Sequence, residues 1–143
     1  MQIPEFNCYG LLPAGLFVAS EAQITFRFGT TSRRRRRLTI RVRRWIELAR
    51  QIGALRLLID GSFVTSKIEP GDVDSVILLP ADFTEQIANG CEAALELEEM
   101  LLTNRPEEIF AAEDALDWKE WVDFFSSTRR LDGLQKGLVE VEL

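Results

Sequence analysis

The sequence contains no histidine. That absence excludes Ser-His-Asp and Cys-His catalysis, histidine-ligated zinc and proximal-histidine haem. Cysteine is almost missing as well: Cys8 and Cys91 are too few for a disulfide scaffold or a four-cysteine metal site. No apolar run approaches the roughly 20 residues that cross a bilayer. The first residues show no charged segment followed by an apolar one, so no signal peptide is expected. The expected setting is a reducing cytoplasm, away from membranes. Chemistry must then rest on carboxylates, lysine, arginine, hydroxyls or a carboxylate-bound metal.

What is present fits one soluble domain spanning 1–143. The 143 residues are 46% hydrophobic and 28% charged. A chain of this length buries roughly two thirds of its unfolded surface. Charge is uneven: residues 1–81 carry a net +5 and residues 82–143 a net −11, within a total of −6. Such a field steers ions toward one face, although two independently solvated halves would show the same numbers.

Pro4, Gly10, Pro13 and Gly15 make residues 1–16 an extended, turn-rich lead-in. Its apolar side chains, among them Ile3, Phe6, Tyr9 and Leu12, predict that it packs on the body. Leu38, Val42, Trp45, Ile46, Ala49 and Ile52 form one stripe at helical period, so a helix is expected over 32–52, stopped by Gly53. Leu55–Asp60 and Val73–Leu79 read as buried strands, the second closed by Pro80. Asp82 and Glu85 resemble a capping box before a helix over 83–103, ended by Asn104-Arg105-Pro106. A short strand over 108–112, a helix around Trp118, Trp121, Val122 and Phe125, and a strand over 137–143 complete the order. The expected class is α/β or α+β, with a small mixed sheet flanked by helices.

The chemistry-bearing stretch is Asp60-Gly61-Ser62, a nine-residue connection, then Asp72-Val73-Asp74. Residues i and i+2 of a strand share a face, so Asp72 and Asp74 project together. Paired carboxylates repel unless a cation lies between them. Oxygen ligands favour magnesium, which takes one or two carboxylates plus substrate phosphates. Gly61 lets backbone approach a phosphate, Ser62 offers a hydroxyl and an amide, and Lys67 adds positive charge. Together these parts suit a triphosphate–magnesium site for phosphoryl or nucleotidyl transfer. The competing reading is a turn, because Pro70-Gly71-Asp72 is itself a turn signal.

Gly-Ser, about ten residues, then Asp-hydrophobic-Asp-hydrophobic resembles the nucleotidyltransferase superfamily typified by DNA polymerase beta. Ile3-Pro4-Glu5-Phe6-Asn7, Gly10-x-Leu12-Pro13-x-Gly15, Ile59–Thr65, Lys67, Pro70-x-Asp72-Val73-Asp74 and Lys136-Gly137-Leu138-Val139 resemble a small bacterial branch of it. The resemblance spans nearly the whole chain. It implies a minimal nucleotidyltransferase-like fold, a nucleoside triphosphate such as ATP, two magnesium ions, and transfer of a nucleoside monophosphate to a protein or RNA acceptor. Gly61 and Ser62 would hold the triphosphate, and Asp72 and Asp74 the metals. A third carboxylate is implied from a later strand, and Asp114 is the candidate. Asp114 also suits an N-cap of the Trp118 helix. The sequence departs from the pattern at Phe63-Val64-Thr65-Ser66, where a basic residue and a glycine usually stand. The resemblance equally admits a catalytically weak binding module, such as the antitoxin-like member of a toxin–antitoxin or defence pair.

The run Arg33–Arg37 reads as a solvated or partner-binding helix face, with a phosphate-facing role or nucleic-acid binding as alternatives. Trp45, Trp118 and Trp121 read as core. Cys91 is expected on the buried stripe of the 83–103 helix and Cys8 exposed. The acidic side chains Glu92, Glu96, Glu98 and Glu99 read as a solvated face.

Overall fold

The computed structural model describes residues 3–104, 108–128 and 132–143. Five strands form one mixed sheet: β1 (Leu16–Ala19), β2 (Arg56–Asp60), β3 (Asp74–Leu78), β4 (Ile109–Ala112) and β5 (Leu138–Val141), in the order β1-β5-β2-β3-β4. β2 runs antiparallel to both β3 and β5, whereas β1 pairs with β5 and β4 with β3 in parallel. The end of β2 therefore meets the starts of β1, β3, β4 and β5 at one edge of the sheet. Every functional side chain discussed below lies at or beside that edge, apart from Asp114.

The strands alternate as their sequences dictate. Leu57, Ile59 and Ile77 belong to one core cluster, and Leu58, Val76 and Leu78 to the cluster on the opposite face. The first face is covered by α1 (Glu21–Phe28), α2 (Arg33–Ile52), α3 (Phe83–Ala88) and α4 (Glu92–Thr103). The second is covered by α5 (Ala115–Ser126) through Trp118, Trp121 and Phe125. All six expected stripe residues of α2 are buried, and Trp45 is 1% exposed. Ser32 caps α2 through the Arg35 amide, and Gly53 ends it at φ 74°.

The α+β class, the α2 helix, both central strands, β4, α5 and β5 match the sequence expectations to within a few residues. Three features differ. The segment after the lead-in holds β1 and α1, which the sequence reading left unassigned; a reciprocal Ser20–Gln23 capping box starts α1. The single helix expected over 83–103 is two helices. Gly90 adopts φ 76°, and the Cys91 amide donates to the Gln86 carbonyl, which closes α3 before α4 begins. Asp82 makes no cap bond, and its carboxylate accepts from the Gln86 side chain instead. Cys91 consequently sits at the N-cap of α4, half-buried, rather than on a buried helical stripe. Asn104 ends α4 in the left-handed region at φ 47°, while Arg105 and Pro106 lie outside the described residues.

The lead-in packs as its composition predicts. Ile3 and Leu12 are buried. Arg27 donates to the Ile3 and Pro4 carbonyls and lies over the Phe6 ring at 4.6 Å. The Gly137 amide donates to the Leu12 carbonyl, tying the lead-in to the approach to β5.

Candidate functional site

β2 ends in Asp60, and Gly61 follows at φ 89°, ψ −175°, a conformation essentially reserved for glycine. A Cβ here would lie 3.0 Å from Val73 Cα and 3.1 Å from both the Asp72 oxygen and the Asp74 nitrogen. The glycine thus lets the two strand ends touch. Ser62 opens a short 3-10 turn, Ser62–Val64. Its amide donates to Asp72 Oδ1 at 2.9 Å, its hydroxyl to the same oxygen at 2.6 Å, and the Asp72 amide donates back to Ser62 Oγ at 3.1 Å. Gly-Ser and Asp-x-Asp are therefore one hydrogen-bonded unit.

The nine-residue connection is held from outside by the arginine run. Arg35 is buried, and its guanidinium donates to the carbonyls of Phe28, Phe63, Thr65 and Lys67. Burial lowers its pKa from the ordinary arginine value. Arg34 donates to the Pro70 and Gly71 carbonyls at 3.0 and 2.8 Å. Two of the five arginines therefore brace the site's main chain; Arg33, Arg36 and Arg37 are exposed.

Four carboxylates gather at the edge. Asp60 and Asp74 are direct partners in the β2–β3 ladder. Asp72 lies two residues before Asp74, and their carboxyls are hydrogen-bonded. Glu108 precedes β4, its carbonyl accepts from the Ser75 amide, and its charge acts on Asp74. Burial pushes the Asp74 carboxyl up to about 7, reinforced by Asp72, Asp60 and Glu108. Burial acts on Asp72 in the same direction, but the two Ser62 bonds, the Asp74 bond and the Lys136 charge outweigh it and hold Asp72 below the usual range. The two carboxyls are thus pushed in opposite directions, Asp72 down and Asp74 up. Asp60 is 1% exposed, and its burial pushes it up to about 6 despite its partner Lys136. Lys136 Nζ donates to both Asp60 oxygens at 2.9 and 3.0 Å.

Three of these carboxylates and Lys136 line a cleft of about 740 Å³. Asp60, Asp72, Asp74 and Lys136 line it together with Gly61, Ser62 and Thr65. Tyr9 and Leu11 reach it from the lead-in, and Phe124, Phe125, Ser127 and Thr128 from the end of α5. Of the residues proposed from sequence, Gly61, Ser62, Asp72 and Asp74 are brought together. Lys67 is not: it is exposed, does not line the cleft, and enters the structure through its carbonyl on Arg35. Asp114 is not either. It lies beyond the far end of β4 and caps α5 by accepting from the Asp117 amide at 2.8 Å. The register explains this: β4 is parallel to β3, so its start faces Asp74 while Ala112 faces Leu78.

Sequence reasoning missed Asp60, Lys136, Tyr9 and Phe124 as cleft residues, and Glu108 as a charge acting on Asp74. Asp60 and Lys136 stood within the motifs quoted above, but nothing in a linear pattern pairs residues 76 positions apart. Among the described residues, no group of three or more His, Cys, Asp or Glu is spaced as a metal-binding cluster. The donor set still fits magnesium, which needs only one or two protein carboxylates when phosphates complete its shell. The repulsion that Asp72 and Asp60 exert on Asp74 is what a cation there would relieve.

Fold and cleft together define a small α/β protein built on a mixed sheet, with an acidic, lysine-bearing cleft at one sheet edge. The chain belongs to DUF6932, a family of unknown function, whose family model matches residues 4–142. Neither a curated protein nor a solved structure matches the chain. No helix among the described residues is long and apolar enough to cross a membrane.

Proposed function

We propose that this protein is a magnesium-dependent nucleotidyltransferase that moves a nucleoside monophosphate from a nucleoside triphosphate to a protein or RNA acceptor in the cytoplasm. The observation that carries the reading is the union of Gly61-Ser62 and Asp72-Asp74 in one cleft with Lys136. Asp72 and Asp74 would hold the metal, which supplies charge neutralisation for the attacking and leaving oxygens. Lys136, anchored by Asp60, faces the phosphates. An acceptor oxygen attacks the α-phosphorus, the bond to pyrophosphate breaks, and the acceptor's proton passes to a cleft carboxylate. Lys67 and Asp114 have no part in this scheme.

Thermal unfolding with ATP, GTP, CTP and UTP, with and without magnesium, tests it. A nucleotide at 100 times its dissociation constant adds about 2.7 kcal/mol of stability. The expected result is a magnesium-dependent rise for at least one nucleotide, lost in the Asp72→Asn/Asp74→Asn double variant. No rise with any nucleotide sinks the reading.

One observation favours a second reading, a catalytically weak binding module such as an antitoxin-like partner. The Ser62 amide and hydroxyl, the groups meant for phosphate, are already spent on Asp72. On that reading the chain copurifies with a protein partner and turns over no nucleotide alone.

A further inference from the structure

The cleft lining joins charged groups, Asp60, Asp72, Asp74 and Lys136, to aromatic ones, Tyr9, Phe124 and Phe125. Tyr9 is the only tyrosine in the chain. It is 50% exposed, and Phe124 is 66% exposed, yet both line the cleft. The other aromatic ring in the cleft, Phe125, is half-buried among Phe110 and Trp121.

Both residues are positioned by the local structure around them. Asn7 Oδ1 accepts from the Tyr9 and Leu11 amides at 2.9 and 3.1 Å, and the Asn7 amide donates to the Leu11 carbonyl. Gly10, at φ 75°, turns the chain after Tyr9, and its carbonyl accepts from the Ser66 amide. The lead-in is thereby pinned to the same connection that Arg35 holds. Phe124 stands on the last turn of α5, edge-on to Phe125 at 5.1 Å and to Trp121 at 6.1 Å. A helix and a pinned turn thus present two exposed aromatic faces to one cavity. A volume of about 740 Å³ accommodates a ligand with both a planar ring and a phosphate chain.

We infer that Tyr9 and Phe124 form the stacking site for the nucleobase of the donor nucleotide, whose phosphates face Lys136 and the Asp72–Asp74 pair. This inference rests on the nucleotidyltransferase reading and adds the part of the ligand that reading leaves unplaced. Stacking on an aromatic ring tolerates every base, so the site strengthens binding more than it selects among bases.

The test compares two probes by isothermal titration calorimetry in magnesium: inorganic tripolyphosphate, which has no base, and the four nucleoside triphosphates. The wild type is expected to bind at least one nucleotide more than tenfold tighter than tripolyphosphate. Tyr9→Ala and Phe124→Ala should each weaken that nucleotide roughly five- to hundredfold and leave tripolyphosphate unchanged. Phe26→Ala serves as control, since Phe26 is 82% exposed on α1 and does not line the cleft. Equal wild-type affinity for nucleotide and tripolyphosphate overturns the stacking site and leaves the nucleotidyltransferase reading standing. Nucleotide binding untouched in both variants does the same. Binding of neither probe overturns both.

Discussion

Gly61 and Gly53 both sit at positive φ, yet they differ in what surrounds them. Gly53 has no neighbour within 4 Å of a built Cβ, whereas Gly61 has three backbone atoms of β3 and its approach within 3.1 Å. Gly53→Ala should therefore cost about 1 kcal/mol, the conformational term alone. Gly61→Ala should cost about 3 kcal/mol or more, because backbone cannot step aside as a side chain would. Urea denaturation of both variants checks this, and equal costs would show that β3 yields. Lys136 offers a second test. Its partner Asp60 is 2% exposed at the side chain, so Lys136→Met leaves a carboxylate buried without its cation. The expected loss is about 3–5 kcal/mol at pH 8. It should shrink toward pH 5, where Asp60 takes up a proton, and part should return in the Asp60→Asn/Lys136→Met double variant. A loss that does not change with pH would place the effect in packing. At this scale the sequence singled out Asp72 and Asp74 as a pair but not their company. The i, i+2 spacing is local, whereas Asp60, Lys136 and Glu108 reach the pair only through sheet register.

At the scale of elements, α2 does two jobs with one sequence. Its apolar stripe was legible because burial follows a 3.6-residue period. The arginine run looked like a solvated face, and its exposed members keep that reading, but Arg35 turns inward. It satisfies carbonyls of a connection that has no ladder of its own. Arg35→Met should loosen residues 63–67, which amide hydrogen exchange would register as faster exchange at Val64, Thr65 and Ser66. Its stability cost is expected at about 3 kcal/mol, since several buried carbonyls lose a charged donor. Arg37→Ala, on the exposed side, should stay within about 0.5 kcal/mol. Similar costs for the two would mean that the run acts only through its charge. The break between α3 and α4 was hidden for a related reason. Phe83, Ala94 and Leu97 keep an apolar pattern across Gly90, and nothing in that pattern reveals a positive φ.

For the whole molecule, the raised carboxyls set the pH response. Folded Asp74 keeps its proton up to about 7 and Asp60 up to about 6, while both lose it near 3.8 when unfolded. Between those values the folded state holds more protons, so stability falls as pH rises. Asp72 acts oppositely: its folded value lies below the unfolded one, so its contribution is present above about pH 4 and fades in stronger acid. Without divalent cations, the melting temperature should decline from about pH 5 to pH 8, and Asp74→Asn should flatten the decline. A profile that climbs over that range would contradict the charge arrangement.

The strand order carries one more consequence. β5 lies between β1 and β2, although it is the last strand in the chain. Until residues 138–141 exist, β1 has no neighbour, and β2 exposes an unpaired apolar margin. A chain lacking those residues would hold β2, β3 and β4 as an incomplete sheet whose raw edge invites pairing with other chains. The same strand follows Lys136, so Asp60 gains its cation only with the segment that completes the sheet. Completion of the sheet and neutralisation of its buried charge thus depend on one segment, and a chain cut before residue 136 is expected to lose both together.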